Sequence, residues 1–406
     1  MMKNIFNKNL LIKLLILSAV IRIFSLIFIF EKNISEVNYW EYGAIAENIV
    51  HNKDFSLFYE DKNGFIKIKY HNDSNPVPSA YMPPGYVFFL VPTFLIDNII
   101  IRTNFIFLIQ IIISLFTLYF IYKLTLEISN TRVAFLSSLL YIFYPEFIYS
   151  CFTIGPTIFY HYFIITIIYF SICEYKNKTK FIYLSIILPI AVYFRFEICF
   201  FWLLIALYQF LRNRNLRFFI PLIITVISLI PWIYRNYIVF GKIPILSTNT
   251  GQNFYRGHNN LYPGAWADEI LDKEISQIAL SSRYEIQRDS LLFNKAVQII
   301  KSNLSKELII SFEKVTHLFI LYYYDNRSFN PLYLITWGLL SILFWYGYLK
   351  YPLNDLKIEI TLFIIYHTIL AIVFFVILRY QTMFKIVYLP FAGYGLDLLL
   401  KKFKKN

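Results

Sequence analysis

Long apolar segments recur along the chain, and the polar intervals between them carry most of its charges. Each segment approaches the length of about twenty residues that a helix needs to cross the hydrocarbon layer of a bilayer. This pattern predicts an all-α polytopic membrane protein with a bundle of about ten transmembrane helices. The predicted spans are 10–30, 103–123, 133–148, 154–172, 181–195, 197–211, 218–234, 330–349, 357–378 and 381–400.

Basic residues between the spans set the predicted orientation. Lys3 and Lys8 precede the first span, and the sequence KKFKKN follows the last one. Because short basic loops stay on the cytoplasmic side, both termini are predicted to be cytoplasmic. Arg22 inside the first segment and the lack of a small-residue cleavage site predict a retained span rather than a signal peptide. Two shorter apolar pieces, 84–96 and 308–324, are predicted to be re-entrant or surface-lying.

Two large polar intervals face the outside in this topology, a first outer loop at 31–86 and a second at 235–306. In the first, apolar residues recur at the i, i+3, i+4 and i+7 spacing of an amphipathic helix: Tyr42, Ile45, Ala46 and Ile49. A helix too short to span is predicted to lie at the membrane interface. We treat 1–406 as a single membrane-embedded domain.

The composition agrees with this class of protein. The chain is 58% hydrophobic, 20% aromatic and 16% charged, values that a soluble domain of this length would not carry. The formal net charge of +13 does not indicate a nucleic-acid partner, because the bases form short clusters between apolar segments. Cys151, Cys173 and Cys199 lack the spacing of metal ligands or of a disulfide framework. They are predicted to be small core residues.

Three arginines lie at the predicted outer ends of spans, against the bias that keeps other bases inside: Arg195, Arg235 and Arg379. An arginine in or at the membrane is costly unless it has an anionic partner. Its planar guanidinium suits bidentate contacts to phosphate, so the set favours a site for the phosphate of a lipid carrier. For each arginine alone, an ion pair such as Arg195 with Glu197, or extension to the interface, is an equal alternative.

A second candidate site lies in 231–266, where amide side chains, aromatic rings and glycines are interspersed. Amides can bind sugar hydroxyls, and aromatic rings can pack against the apolar faces of sugars. Glycine and asparagine are also turn formers, and composition alone favours that structural interpretation. His258 in this stretch is predicted to be a polar loop residue rather than a ligand.

Three sequence motifs lie at these polar ends of the spans. They are EYGAIAENIV with PSAYMPPGY in the first outer loop, PWIYRNYIVFGKIPILSTNTGQNFYRGHNN after a mid-chain span, and LRYQTMFKIVYLPFAGYGL near the C-terminus. Together they resemble membrane glycosyltransferases of the dolichyl-phosphate-mannose protein mannosyltransferase and aminoarabinose transferase type. The resemblance covers most of the chain, and the part from Arg235 to Gly257 is the most specific. It implies a GT-C fold, a polyprenyl-phosphate sugar donor, inversion at the anomeric carbon and an acidic base in the first outer loop.

The resemblance is incomplete at the acidic positions. Relatives carry the catalytic aspartate four residues before the position of Tyr42, where this chain has Asn38. Glu41 and Glu36 lie nearby, and Glu41 is predicted to be the base ahead of Glu36 because it adjoins Tyr42 on the amphipathic helix. A second acidic residue of relatives is replaced here by Gly155. A general base contributes about 10²–10⁴-fold in rate, and cations stabilise a leaving phosphate.

The predicted substrate-binding residues come from the outer arginines and the three motifs. They are Asn38, Tyr42, Tyr81, Arg195, Arg235, Asn236, Asn253, Arg256, His258, Arg379 and Tyr380. The predicted function is inverting transfer of a hexose or pentose from a polyprenyl-phosphate donor to a glycan, lipid or protein acceptor. We expect this reaction at the outer face of a bacterial inner membrane.

Two alternatives to this function stay open, and a third is disfavoured. A polysaccharide polymerase or ligase acting on a lipid-linked glycan, and an inactive member of the family, both stay open. A transporter is disfavoured because the chain has no internal repeat and its polar residues gather at the outer face instead of the midplane. The sequence indicates no cofactor, and it leaves open whether a divalent metal ion is bound.

Overall fold

The computed structural model of the chain describes residues 2–30, 34, 36–68, 75–174, 179–242, 247–259, 273 and 275–404. Its helices are α1 (Met2–Ser25), α2 (Trp40–Asn52), α3 (Pro84–Leu90), α4 (Ile99–Ile128), α5 (Thr131–Phe143), α6 (Pro145–Tyr149), α7 (Thr157–Glu174), α8 (Thr179–Phe194), α9 (Ile198–Asn213), α10 (Ile220–Phe240), α11 (Thr250–His258), α12 (Tyr284–Ser302), α13 (Leu304–Phe319), α14 (Pro331–Lys350), α15 (Asp355–Val373), α16 (Leu378–Lys385) and α17 (Leu389–Phe403). A short antiparallel pair, β1 (Tyr59–Glu60) with β2 (Ile66–Lys67), lies in the first outer loop.

The apolar helices agree with the predicted spans. Six are long and apolar enough to cross a membrane, and they contain α1, α4, α10, α14, α15 and α16 with α17. A seventh span is bent by 62° between α5 and the helical turns at Pro145–Phe152. Pro145 lacks an N–H and disfavours a helical conformation at the residue before it, which explains the break. With the shorter apolar helices α7, α8 and α9, the prediction of about ten transmembrane helices is confirmed.

Glycines permit the closest helix contact at the C-terminal end of the chain. A Cβ atom on Gly347 of α14 would lie 2.0 Å from the Phe391 carbonyl oxygen, and one on Gly395 of α17 would lie 2.3 Å from the Leu343 carbonyl oxygen. Helices inside a membrane gain van der Waals contact when small residues let their backbones approach. The α14 and α17 helices are therefore packed backbone to backbone.

The first outer loop contains the predicted amphipathic helix as α2. Tyr42, Ile45 and Ala46 are buried on one side of it, and that side packs against α3 and the 3-10 turn at Val91–Leu95. The predicted re-entrant or surface-lying piece 84–96 forms α3 and this turn. Gly85 of α3 approaches the end of α8 so closely that a Cβ atom there would lie 2.7 Å from a backbone carbon of Tyr193. This contact places the first outer loop beside the outer end of α8.

The second outer loop contains α11 and α12, which pack against each other, and is followed by α13. Tyr255 of α11 is buried with Leu292 and Ala296 of α12. Helix α13 contacts α15, and the second predicted surface-lying piece, 308–324, lies in α13 and the turn after it. Most of the remaining loop, including 260–272, lies outside the described residues.

Candidate functional site

Glu41 lies in the first turn of α2 and is half-buried. The buried apolar side of α2 fixes the helix, so Glu41 stands at the boundary between its buried and exposed sides. Burial raises the pKa of the Tyr42 and Tyr81 hydroxyls, and the nearby Glu41 carboxylate raises both further. The same carboxylate is therefore close to two tyrosines that come from opposite ends of the first outer loop.

Two of the outward arginines gather on the Tyr42 side of Glu41. The Cζ atoms of Arg195 and Arg379 lie 5.5 Å and 5.7 Å from the centroid of the Tyr380 ring. Burial raises the pKa of Tyr42 to about 12, and the charges of these two arginines act against that rise. The structure thus brings five predicted site residues together.

Arg195 and Arg379 differ in their partners. Nε of Arg195 lies 2.5 Å from Oε1 of Glu197, which is the ion pair that the sequence left as an alternative. Burial would lower the pKa of Arg195, but Glu197 and the tyrosines around it raise it above its usual value. Arg379 is exposed and forms no ion pair with any carboxylate that the structure describes. Arg195 is thus held by an ion pair, whereas Arg379 is exposed and has no carboxylate partner among the described residues.

A second group of cations lies on the Tyr81 side of Glu41. The Tyr81 hydroxyl donates a hydrogen bond to Gln252 Oε1 of α11 at 2.9 Å. Cζ of Arg288 from α12 lies 5.4 Å from the centroid of the Tyr81 ring. Burial raises the pKa of Tyr81, whereas the charges of Arg288 and Arg256 lower it. The second outer loop therefore contributes its own cations next to Glu41.

Arg235 has a different role from the one predicted for it. Its Nη1 donates to the Ser79 carbonyl oxygen at 2.6 Å, and its Nη2 donates to the Phe55 carbonyl oxygen at 2.8 Å. Its Nη1 also donates to Oδ1 of Asn236, which is fully buried. Backbone carbonyls use these N–H groups of Arg235, whereas phosphate binding by Arg195 and Arg379 stays a prediction. Arg235 and Asn236 hold the first outer loop against α10.

Two glycines of the predicted carbohydrate stretch, Gly251 and Gly257, lie in helix α11 and do not form turns. A Cβ atom on Gly251 would lie 2.0 Å from the Asp289 carbonyl oxygen, and one on Gly257 would lie 2.4 Å from the Phe374 carbonyl oxygen. Both positions therefore allow close approach of α11 to α12 and to the end of α15. The turn-forming interpretation of these two residues is wrong.

His258 ends α11 and is buried, in place of the polar loop position predicted for it. Its Nε2 lies 2.8 Å from the Val373 carbonyl oxygen, and its Nδ1 lies 2.6 Å from Oε1 of Glu307. A carbonyl oxygen and an ionised carboxylate oxygen both only accept hydrogen bonds, so this geometry fits an imidazolium that donates from both nitrogens. His258 thereby connects α11 to α13 and α15.

The remaining predicted residues lie at the edge of this arrangement. Glu36 is exposed, and Asn38 Oδ1 accepts a hydrogen bond from the Trp40 backbone N–H at 2.8 Å. Asn38 therefore supports the start of α2. Asn253 is half-buried on α11.

Five carboxylates near the ends of the helices have partners. Their contacts are Glu146 with Lys385 at 2.7 Å, Glu197 with Arg195, Glu307 with His258, Glu285 with the Ala80 N–H at 2.8 Å, and Asp289 with the Gly251 N–H at 2.6 Å. Glu41 has no such ion pair within the described ranges, and unlike the exposed Glu36 it lies beside Tyr42 and the two arginines. No group of three His, Cys, Asp or Glu residues in the described part of the chain could hold a metal ion.

Arg288 is a site residue that the sequence interpretation missed. It shares a face of α12 with other buried residues at a spacing of four: Tyr284, Arg288, Leu292 and Ala296. A charged residue on the apolar side of an amphipathic helix is unusual, and this spacing is the signal that could have identified it. Gln252, which accepts the hydrogen bond from Tyr81, was also not predicted, and its position in the sequence gives no such signal.

No family model matches the chain, and no curated protein matches it. Its structure is similar to that of the archaeal oligosaccharyltransferase AglB from Archaeoglobus fulgidus in complex with an inhibitory peptide and a dolichol-phosphate. The TM-score is 0.57 with 12% sequence identity, over 98% of this chain and 51% of AglB. A structure of the oligosaccharyltransferase from this organism with Zn and sulfate also gives a TM-score of 0.57, with 13% identity over 97% of this chain and 49% of the other.

A weaker match is to ArnT from Cupriavidus metallidurans bound to undecaprenyl phosphate, with a TM-score of 0.39, 10% identity, and coverage of 88% of this chain and 72% of ArnT. This score carries no argument. The chain spans about half the length of the oligosaccharyltransferase structures, and nearly all of it aligns with them. The chain therefore shares the fold of this oligosaccharyltransferase over nearly its whole length, which agrees with the fold that its motifs predicted.

Proposed function

We propose that the chain is an integral-membrane glycosyltransferase that moves a sugar from a polyprenyl-phosphate donor to a hydroxyl group of an acceptor. One observation carries this proposal: the half-buried carboxylate of Glu41 adjoins Tyr42, next to two arginines that share the Tyr380 ring. The fold supports a lipid-phosphate donor, because the similar AglB structure was obtained with a dolichol-phosphate.

Arg195 and Arg379 bind the donor phosphate in this proposal. Glu197 holds Arg195 in place, and the exposed guanidinium of Arg379 is free to close on a ligand. Arginine forms charge-assisted hydrogen bonds with phosphate oxygens, and these strengthen as negative charge develops on a leaving phosphate. The pKa of Tyr42, at about 12, keeps its hydroxyl protonated at neutral pH, so it can donate a hydrogen bond to the same group.

Glu41 acts as the general base. As the acceptor oxygen attacks the anomeric carbon, Glu41 takes the proton of the acceptor hydroxyl. The bond between the anomeric carbon and the phosphate oxygen breaks, and the phosphate leaves with the electron pair. Attack from the side opposite the phosphate inverts the anomeric carbon. A base in this role contributes about 10²–10⁴-fold in rate.

The two outer loops position these groups at the outer face of a bacterial inner membrane. Arg235 fixes the first outer loop through the Phe55 and Ser79 carbonyl oxygens. Glu285 of the second loop accepts a hydrogen bond from the Ala80 N–H at 2.8 Å, one residue before Tyr81. The segment that carries Tyr81 beside Glu41 is therefore held by contacts to the rest of the fold.

The proposal can be tested by mass spectrometry of cell-envelope glycans. Cells that lack this chain are compared with the same cells after the wild-type chain or a variant is restored. Restoring the wild-type chain should add a mass increment of one hexose or pentose. Glu36→Gln should restore the same increment, whereas Glu41→Gln, which keeps the side-chain shape, should lower it by about 100-fold or more at equal expression. Full restoration by Glu41→Gln would remove Glu41 as the base. A change only in the length of a repeating glycan would indicate a polymerase instead.

A further inference from the structure

We infer that Arg288 forms a second oxyanion subsite on the Tyr81 side of Glu41, and that it binds an acidic group of the acceptor. This inference rests on the proposed function. It narrows the acceptor to molecules that carry a phosphate or carboxylate close to the hydroxyl that receives the sugar.

Arg288 lies in a buried aromatic setting and forms no ion pair with any carboxylate among the residues that the structure describes. Its side chain is 8% exposed, and its Cζ atom lies 5.5 Å from the Phe58 ring centroid and 5.4 Å from that of Tyr81. Its Nε has no hydrogen-bond partner among the residues that the structure describes. Cation–π contacts compensate only part of the cost of removing a guanidinium from water. An incoming oxyanion would compensate the rest.

The two acids on the same helix are used elsewhere. Oε2 of Glu285 accepts hydrogen bonds from the Ala80 N–H and the Thr248 hydroxyl. Oδ1 of Asp289 accepts hydrogen bonds from the N–H groups of Gly251 and Gln252 at 2.6 Å and 3.3 Å. These bonds hold the first outer loop and α11 against α12. The Arg288 charge lowers the pKa of both carboxyl groups, yet Arg288 forms no ion pair with either of them.

The two pairs of cations act on different tyrosines. The charges of Arg195 and Arg379 lower the pKa of Tyr42, whereas the charges of Arg256 and Arg288 lower the pKa of Tyr81. In an inverting transfer, the leaving phosphate and the incoming hydroxyl lie on opposite sides of the anomeric carbon. Two separate groups of cations can therefore bind the donor phosphate and the acceptor. The first pair serves the phosphate, so Arg288, which lies beside the Tyr81 ring, serves the acceptor.

Calorimetric titration of the purified full chain in lipid nanodiscs saturated with undecaprenyl phosphate tests this subsite. The probes are glycerol phosphate, glucuronate and uncharged glycerol. We expect an oxyanion probe to bind and glycerol not to bind. Arg288→Gln should weaken oxyanion binding by about tenfold or more, because a charge-assisted hydrogen bond is lost. Arg288→Lys should restore part of it. Comparing the two anions tells whether phosphate or carboxylate is preferred.

Arg283→Gln is the matched control, because it removes an exposed arginine at the start of the same helix, and it should leave binding unchanged. Undecaprenyl phosphate affinity should be unchanged in Arg288→Gln, which also shows that this variant is folded. Two results would overturn the subsite: no oxyanion binding to the saturated wild-type protein, or equal binding by wild type and Arg288→Gln. Failure of the wild type to bind undecaprenyl phosphate at all would instead reject the proposed function.

Discussion

Arg235 and Arg379 were predicted from sequence to play the same part, but they differ in what their guanidinium groups contact. Arg235 donates to two backbone carbonyl oxygens of the first outer loop and lies 3.8 Å from an Asp54 oxygen. Arg379 is exposed, stacks with Tyr380 and has no carboxylate partner among the described residues. An outer arginine is therefore evidence for a ligand only where its N–H groups are not already used by the fold.

The largest expected effect is on the rate of sugar transfer when Arg379 is replaced. Arg379→Gln should lower sugar transfer by about 10- to 150-fold, because each charge-assisted hydrogen bond to the leaving phosphate contributes about 1.5–3 kcal/mol. Thermal stability should stay close to that of wild type, since the side chain is exposed. The measurement is transfer rate and melting temperature on the same preparation. Normal turnover in Arg379→Gln would place the phosphate elsewhere.

Arg235→Gln should show the reverse pattern. Losing its bonds to the Phe55 and Ser79 carbonyl oxygens should lower the free energy of unfolding by about 1.5–3 kcal/mol. Arg217→Gln, which removes an exposed arginine at the predicted cytoplasmic end of the same span, is the control and should have little effect. Unchanged stability in Arg235→Gln, measured by thermal unfolding in detergent, would contradict the loop-holding role.

Helix α11 should be sensitive to a single methyl group. Gly257→Ala would place a Cβ atom 2.4 Å from the Phe374 carbonyl oxygen, and such overpacking costs about 1–3 kcal/mol. Gly338→Ala is the matched control, because a Cβ atom there meets nothing within 4 Å and alanine favours a helix. Thermal unfolding of both variants decides the point, and equal melting temperatures would reject the close contact.

The smallest expected effect is a pH dependence at Glu285. Burial raises its pKa above the ordinary value of 4.5, although its hydrogen bonds with Ala80 and Thr248 act against the rise. A carboxyl group with a raised pKa stabilises the fold fully below pH 4.5, and this contribution is lost as pH rises through the higher folded value. Glu285→Gln should therefore flatten the fall of stability with pH above 4.5, whereas exposed Glu60→Gln should not. Parallel profiles for wild type and Glu285→Gln would exclude this effect.

The parts of the fold that sequence predicted depend on local physics. The hydrocarbon thickness of a bilayer fixes the length of an apolar span, so the ten segments could be identified from their lengths and flanking bases. The buried side of α2 followed from the periodicity of Tyr42, Ile45 and Ala46. Both signals need only neighbouring residues.

The parts that sequence did not predict depend on distant partners. Arg235 binds carbonyl oxygens that lie 156 and 180 positions earlier in the chain, and no local pattern marks them. The same applies to Tyr81, whose hydroxyl meets Gln252 across 171 positions. The helical spacing of Arg288 predicts that it lies on the buried side of α12. Its contact with Tyr81 could not be predicted in this way, because it depends on how the two outer loops pack together.

The most direct test of the account is the affinity of the purified chain for undecaprenyl phosphate compared with undecaprenol, the uncharged alcohol of the same length. The wild type should prefer the phosphate by about tenfold or more, since two charge-assisted contacts are available. Arg379→Gln should lose most of that preference, and Arg235→Gln should keep it. Equal preference in wild type and Arg379→Gln would contradict the phosphate site and, with it, the proposed mechanism.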